Sequence, residues 1–114
     1  MRRVLLVEDA DLARHALHGA LTTAGYEVVA VRTLAEGRAA LAAAPRFDLV
    51  LANVVLPDGA GFELTRVAEK AGSKSLLMTG HPDQMLALDG AVSYLAKPFR
   101  TRELIERVSS LLQP

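Results

Sequence analysis

The sequence predicts an α/β fold in which a doubly wound parallel sheet of five strands, (βα)5, carries helices on both faces. Short apolar runs that suit buried strands alternate along the chain with longer segments of helical period. Such alternation requires right-handed crossovers, and therefore parallel strands. Because a chain of 114 residues suits one compact unit of this kind, we expect a single domain over residues 1–114.

The composition is that of a globular protein, with 51% hydrophobic and 23% charged residues. Thirteen basic and thirteen acidic side chains give a formal charge of zero, which provides no general attraction to nucleic acid or to an anionic membrane. The absence of cysteine excludes disulfides, thiolate zinc sites and cysteine nucleophiles. The first apolar run, Val4–Val7, is too short for a signal peptide or a membrane span. We therefore expect a cytoplasmic location, without membrane or direct nucleic-acid contact.

The first two strand–helix units are visible in the apolar pattern. The first strand is apolar throughout, which predicts that it is covered on both faces, and the first helix closes at Gly25, a residue suited to that position. Thr33 and Glu36 have the spacing of a capping box that opens an alanine-rich helix. The predicted elements are a strand at Val4–Val7, a helix at Asp11–Ala24, a strand at Glu27–Val31 and a helix that ends before Pro45. The apolar stripe of the first helix is placed at Leu12, His15/Ala16, Gly19/Ala20 and Thr23.

The remaining three units continue the alternation. Pro57–Gly61 is rich in turn residues and is predicted to be a loop. Thr101 is placed to cap the last helix, whose apolar stripe is expected to face the core. The predicted strands are Asp48–Asn53, Ser75–Thr79 and Ala91–Ala96, and the predicted helices are Phe62–Ala71, Pro82–Leu88 and Thr101–Leu112. The last stripe consists of Leu104, Ile105, Val108, Leu111 and Leu112.

Polar side chains gather at the carboxyl ends of the predicted strands, where open α/β sheets bind their ligands. They are Glu8 and Asp9 after the first strand, Asn53 at the end of the third, Thr79 at the end of the fourth and Lys97 after the fifth. Carboxylate and amide oxygens suit a hydrated divalent cation such as Mg²⁺. An ammonium and a hydroxyl beside them suit a phosphoryl group.

Four short motifs stand at these strand ends. They are VED at 7–9, DLVLANVVLPDG at 48–59, MTG at 78–80 and YLAKPF at 94–99. Each motif is weak alone, but together, in this order and over essentially the whole chain, they resemble the response-regulator receiver domains of bacterial two-component signalling. The resemblance implies a flavodoxin-like receiver fold, in which a histidine kinase's phosphoryl group passes to an aspartate at the end of the third strand.

For the metal site, the resemblance implies that Glu8, Asp9 and the backbone carbonyl of Val55 hold Mg²⁺ beside the acceptor side chain. The acceptor position carries Asn53 instead of aspartate. A neutral carboxamide is a poor nucleophile, so the usual phosphorylation should fail. Its oxygen can still be a metal ligand, but the lost negative charge should weaken Mg²⁺ binding. We expect weakened Mg²⁺ binding at most, and no catalytic residue.

For the response to phosphorylation, the resemblance implies that Lys97 pairs with the phosphoryl group, Thr79 follows it and Tyr94 swings inward. This movement would remodel a surface made by the fourth helix, the fifth strand and the fifth helix. The segment between Thr79 and Gly90 is shorter than the family pattern by about one turn of 3.6 residues, which predicts a short fourth helix. Tyr94 is equally explained by core packing. The Lys97–Pro98 peptide is commonly cis in the family.

The leading hypothesis is a signalling module that is not an enzyme and acts through protein–protein interaction. Its partner would be a histidine kinase or another signalling protein, and a homodimer would form through the face between the fourth and fifth helices. A conventional receiver held inactive by an Asp-to-Asn change is the alternative, since the sequence does not separate a natural from an engineered asparagine. A flavodoxin-like cofactor-binding enzyme would need a glycine-rich phosphate loop where Glu8 and Asp9 stand. His15, His18 and His81 are interpreted as surface residues.

Overall fold

A computed structural model of the chain describes residues 1–43, 46–87 and 92–113. The elements are β1 (Arg3–Val7), α1 (Asp11–Thr23), β2 (Glu27–Val31), α2 (Leu34–Ala42), β3 (Leu49–Asn53), β4 (Val55–Leu56), β5 (Gly59–Ala60), α3 (Gly61–Lys70), β6 (Lys74–Thr79), a 3₁₀ helix (Pro82–Ala87), β7 (Tyr94–Ala96) and α4 (Thr101–Leu112). The main sheet has five parallel strands in the order β2-β1-β3-β6-β7. This order confirms the predicted doubly wound (βα)5, flavodoxin-like architecture.

The sheet separates two layers of core. One layer lies against α1 and α4, and includes Leu17, Leu21, Leu104, Val108 and Leu112. The other lies against α2, α3 and the 3₁₀ helix, and includes Leu34, Leu64, Ala68 and Met85. All five residues of β3 are buried, which explains why this central strand is apolar up to its last residue.

The last helix packs as predicted, but the first does not. Leu104, Val108 and Leu112 of α4 are buried, with Ile105 and Leu111 packed against the same layer. The predicted stripe of α1 is wrong, because the buried residues of that helix are Arg14, Leu17 and Leu21 and Leu12 is 87% exposed. The buried face contains an arginine, and this polar residue concealed its helical period.

Several element boundaries also differ from the prediction. The Pro57–Gly61 loop contributes to a two-stranded antiparallel ribbon of β4 and β5, and α3 already begins at Gly61. Thr101 is not the cap of α4, because Arg100 holds the N-cap position and its backbone N–H donates to Glu103 Oε1 at 3.2 Å.

Within the residues that the structure describes, the fourth helix and the fifth strand are both short. The segment after β6 forms a 3₁₀ helix of six residues, in agreement with the expected short fourth helix, and β7 begins at Tyr94. The predicted ends at Leu88 and Ala91, and Gly90 between them, lie outside the described residues. Over residues 1–43, 46–87 and 92–113, no helix has the length and apolar character needed to cross a membrane.

The start of α2 is held by side chains from two parts of the chain. Thr33 Oγ1 accepts a hydrogen bond from the Glu36 N–H, as predicted, although the Glu36 carboxylate accepts from Arg32 N rather than from Thr33. Asp58, in the turn between β4 and β5, accepts from Leu34 N at 2.8 Å and Ala35 N at 3.0 Å. The hydrogen bonds from Ala35 and Leu34 lower the pKa of Asp58. Asp58 therefore links the loop after β3 to the amino end of α2.

The amino end of α3 lies directly against the end of β3. A Cβ atom on Gly61 would overlap the backbone oxygen of Asn53, and Gly61 N donates to the carbonyl of Val54 at 2.9 Å. Glycine at this position lets the helix approach closely enough to close the β4–β5 ribbon over the end of the strand.

Replacing Asp58 with alanine should lower the free energy of unfolding in a pH-dependent way. Because folding lowers the pKa of Asp58, its contribution is complete above the unfolded-state pKa and is lost as the pH falls through the folded-state pKa. The difference between the two proteins should therefore be largest near neutral pH and shrink in acid. Urea unfolding across that range measures it, with Glu106→Gln on the exposed side of α4 as the control. A difference that does not change with pH would contradict the role of the ionised carboxylate.

Replacing Gly61 with alanine should destabilise the protein by about 1–3 kcal/mol, because the added methyl group can be accommodated only if backbone moves. Gly19 in α1 is the matched control, since a Cβ there meets no atom within 4 Å. Gly19→Ala should stabilise the protein by about 0.5–1 kcal/mol through helix propensity. Chemical unfolding of both variants gives the comparison, and equal effects would show that contact with Asn53 is unimportant.

Candidate functional site

Glu8 is the most deeply buried of the polar residues at the carboxyl edge of the sheet, with 1% of its surface exposed. It directly follows β1, and because Val7 pairs with Ala52, it lies level with Asn53 on the neighbouring strand. Its Oε2 accepts from Asn53 Nδ2 at 2.5 Å and from Ala10 N at 3.0 Å, and Lys97 Nζ lies 3.4 Å from Oε1. A carboxylate buried this deeply requires such hydrogen-bonding and charged partners.

Asn53 connects the two acids after β1. Its Nδ2 donates to Asp9 Oδ1 at 3.1 Å in addition to Glu8, so both amide hydrogens are directed at carboxylates. Asp9 is exposed, whereas Asn53 is buried. The Asn53 Oδ1 is also buried, and it has no hydrogen-bond partner among the residues that the structure describes.

Thr79 and Lys97 form the other side of the site. Lys97 N donates to the carbonyl of Thr79 at 2.7 Å, which joins the ends of β6 and β7, and the Lys97–Pro98 peptide is cis. Thr79 is buried, and its Oγ1 accepts from the N–H of His81 at 2.9 Å. A cleft of about 90 Å³ is lined by Asn53, Val54, Val55, Met78, Thr79, Gly80, His81, Gln84 and Lys97.

The other two predicted residues lie further from the acids. Val55 is 72% exposed and lines the cleft from β4. Tyr94 is half-buried and packs against the core layer on the α2 and α3 side. It is not among the described residues that line the cleft. Its backbone carbonyl accepts from Arg107 Nη2 at 2.9 Å, which ties β7 to α4. His15, His18 and His81 are exposed, as predicted.

Arg14 belongs to this site and was missed by the sequence analysis. The residue is 6% exposed; its Nη1 donates to the backbone carbonyl of Glu8 at 3.2 Å and its Nη2 to Asp11 Oδ1 at 2.7 Å. The hydrogen bond and the charge of Arg14 lower the pKa of Asp11. The i, i+3 spacing of Asp11 and Arg14 was a signal for this ion pair, but nothing in the spacing showed that the guanidinium would be buried.

The arrangement can be tested against the ligand requirements of Mg²⁺. The ion needs oxygen ligands, whereas Asn53 presents its amide nitrogen to Glu8 and Asp9. Within the described part of the chain, no group of three or more His, Cys, Asp or Glu side chains could hold a metal. With its amide nitrogen toward the acids, Asn53 is not turned as a Mg²⁺ ligand in this arrangement. The residues of the site instead form a hydrogen-bonded network of three carboxylates (Glu8, Asp9 and Asp11), one amide and two cationic side chains.

Comparison with known proteins places this chain in a family. The sequence model of the response regulator receiver domain matches residues 4–109. The chain is 34% identical to the transcriptional regulatory protein GltR of Pseudomonas aeruginosa over 98% of this chain and 49% of GltR, so it spans about half of that relative. It is also 34% identical to the response regulator receiver protein CpdR of Brucella abortus, over 98% of each chain.

The fold supports the same assignment. A crystal structure of a response regulator receiver protein from Sinorhizobium medicae superposes with a TM-score of 0.89 at 28% identity, and covers 97% of this chain and 94% of that one. Since the sequence match and the structural likeness both extend over nearly all of its length, this chain belongs to the response regulator receiver domain family, whose members are in general signalling modules of two-component systems.

Proposed function

We propose that this chain is a pseudo-receiver, a receiver module that takes no phosphoryl group at residue 53 and signals by protein–protein interaction rather than by catalysis. In receivers the phosphoryl group passes to an aspartate at the end of the third strand. We assign that place to Asn53, which ends β3. Its amide nitrogen, directed at Glu8 and Asp9, is the observation that carries the proposal.

The chemistry of the side chain supports this proposal. An acyl phosphate forms when a carboxylate oxygen attacks phosphorus, and a neutral carboxamide is a weak nucleophile. The Asn53 Oδ1 is buried as well, so it is poorly placed for attack on a phosphodonor. Glu8 is an unsuitable substitute because it is 1% exposed and its carboxylate already has three donors nearby. In line with the missing charge, we propose that any Mg²⁺ binding at Glu8, Asp9, Asn53 and Val55 is weak.

The proposed output surface consists of the 3₁₀ helix, β7 and α4. Hydrogen bonds connect these elements to the site. The Thr79 hydroxyl accepts from the N–H of the residue before the 3₁₀ helix, and the Arg107 guanidinium donates to the backbone carbonyl of Tyr94. Thr79, Tyr94 and Lys97 are the residues we propose would relay a change in the pocket to this surface. The partner would be a histidine kinase or another signalling protein in the bacterial cytoplasm, without direct contact to nucleic acid.

A homodimer through the same surface is a further part of the proposal. The apolar stripe of α4 is buried in the core, so the contact would use exposed polar residues such as Arg102 and Glu106. A mass by light scattering that rises to twice the monomer with protein concentration is expected. A monomeric mass at the highest concentration tested would contradict the dimer without affecting the pseudo-receiver proposal.

The alternative is a conventional receiver held inactive by an Asp-to-Asn change. It is favoured by the one observation that Thr79, Lys97 and the acids after β1 still surround residue 53, as phosphoryl transfer would require. Both hypotheses expect the chain itself to be inactive as an acceptor. They differ in whether a partner binds this chain with asparagine in place.

The test is phosphorylation of this chain and of Asn53→Asp side by side, with Mg²⁺ and a small-molecule phosphodonor, followed by intact-mass spectrometry. The chain as it stands should show no phosphoryl adduct, because it lacks the carboxylate nucleophile. Asn53→Asp should gain one labile phosphoryl adduct, since the remaining groups of the pocket are in place.

Lys97→Met in the Asn53→Asp background is the control, because it removes the cation that would neutralise the phosphoryl group. Its adduct should be reduced by about tenfold or more. A phosphoryl adduct on this chain that peptide mapping assigns to residue 53 would refute the proposal. If neither protein is labelled, the pocket has lost phosphotransfer altogether, and the alternative of a conventional receiver is excluded.

A further inference from the structure

We infer that the amide group of Asn53 takes the place of a divalent cation between Glu8 and Asp9, so that the pocket keeps its shape without Mg²⁺. The inference rests on the proposed function in one respect, which is that the protein functions with asparagine at residue 53. It adds a regulatory consequence: a receiver built in this way does not respond to the supply of divalent cations.

The hydrogen bonds supply the first argument. One amide nitrogen donates to Glu8 Oε2 at 2.5 Å and to Asp9 Oδ1 at 3.1 Å. Hydrogen bonds from an amide to ionised carboxylates are shorter and stronger than those between neutral groups. The two acids thus share one central electropositive group, as two carboxylates share a bound ion.

The orientation of the amide supplies the second argument. Turning it by half a rotation would place Oδ1 against two carboxylate oxygens and remove both hydrogen bonds to the acids. The observed orientation instead leaves Oδ1 buried and without a partner among the described residues, which is itself unfavourable. The Asn53 side chain therefore donates to both acids, although its own oxygen has no donor among the described residues. This orientation indicates that the pocket favours a hydrogen-bond donor between the two acids.

The charges around the acids supply the third argument. Lys97 Nζ lies 3.4 Å from Glu8 Oε1, and the buried guanidinium of Arg14 bonds both the Glu8 carbonyl and Asp11. Lys97 is thus paired with the Glu8 carboxylate, and Arg14, paired with Asp11, is bonded to the backbone beside it. A Mg²⁺ ion would have to enter beside them and displace the Asn53 amide from both of its acceptors, because a donor group cannot be a metal ligand.

Asn53→Asp is the informative comparison because it replaces the bridging donor by a third carboxylate. Like charges would then converge on one site, which is unfavourable until a cation binds. Mg²⁺ should therefore raise the unfolding midpoint of Asn53→Asp and leave that of this chain unchanged. Calorimetric titration should show Mg²⁺ binding to Asn53→Asp that is stronger by roughly tenfold or more than binding to this chain. Gln113→Glu, which adds an acid at an exposed position outside the pocket, should behave like the unchanged chain.

A spectroscopic test addresses the amide directly. Asn53 is the single asparagine of the sequence, so selective ¹⁵N-asparagine labelling gives one side-chain amide nitrogen with two proton signals. We expect its protons to resonate downfield and to exchange slowly with water, and to be unaffected by millimolar Mg²⁺. Asp9→Ala, which removes the exposed acid, should move one of the two proton signals upfield and leave the other, which faces Glu8, in place.

Two results would overturn the inference. One is Mg²⁺ affinity in this chain equal to that of Asn53→Asp, and the other is an Asn53 side chain whose protons exchange as rapidly as those of a free amide. Neither depends on phosphotransfer. A phosphoryl adduct at residue 53 would refute the proposed function and leave the amide signal interpretable, whereas Mg²⁺-sensitive amide protons without any adduct would refute only the inference.

Discussion

Glu8 is a carboxylate held almost wholly out of water, and the arrangement of the site follows from the partners that its charge requires. An unpaired buried charge would cost several kcal/mol, which is a large fraction of the stability of a small domain. The chain meets the requirement from three separate places: Asn53 at the end of β3, Lys97 after β7 and the backbone of Ala10. Strands distant in sequence are thereby held level at one edge of the sheet.

A second buried charge shapes the first helix. α1 turns an arginine, rather than a leucine, toward the interior at residue 14, where it binds the carbonyl of Glu8 and the carboxylate of Asp11. A buried arginine is rare unless it is paired. In this position it fixes the loop between β1 and α1, so that the two acids are presented to Asn53 in a constant geometry. Folding of the helix and formation of the site are therefore not independent.

Much of the fold could be predicted from the sequence, because a doubly wound sheet is marked by apolar strands that alternate with helices. The prediction failed where tertiary contacts, rather than the local sequence pattern, determine the structure. The α1 stripe was misplaced because Arg14 lies on its buried face, and the Pro57–Gly61 loop was not recognised as part of a ribbon. The motifs brought Glu8, Asp9, Asn53, Thr79 and Lys97 to one edge. They carried no information on which end of the Asn53 amide faces the acids, since that depends on the three-dimensional balance of donors and charges.

The loop after β3 is held by contacts that a substitution of aspartate for Asn53 leaves unchanged. On one side Gly61 brings α3 against the backbone of Asn53, and on the other Asp58 holds the β4–β5 turn to α2. Val54 N also donates to the carbonyl of Met78 on β6. Because these contacts involve backbone atoms and neighbouring residues, they do not depend on whether residue 53 carries an amide or a carboxylate. A substitution there changes the charge and the donors of the pocket while the strand end stays in place. Differences between this chain and its Asn53→Asp variant therefore report on chemistry rather than on a displaced loop.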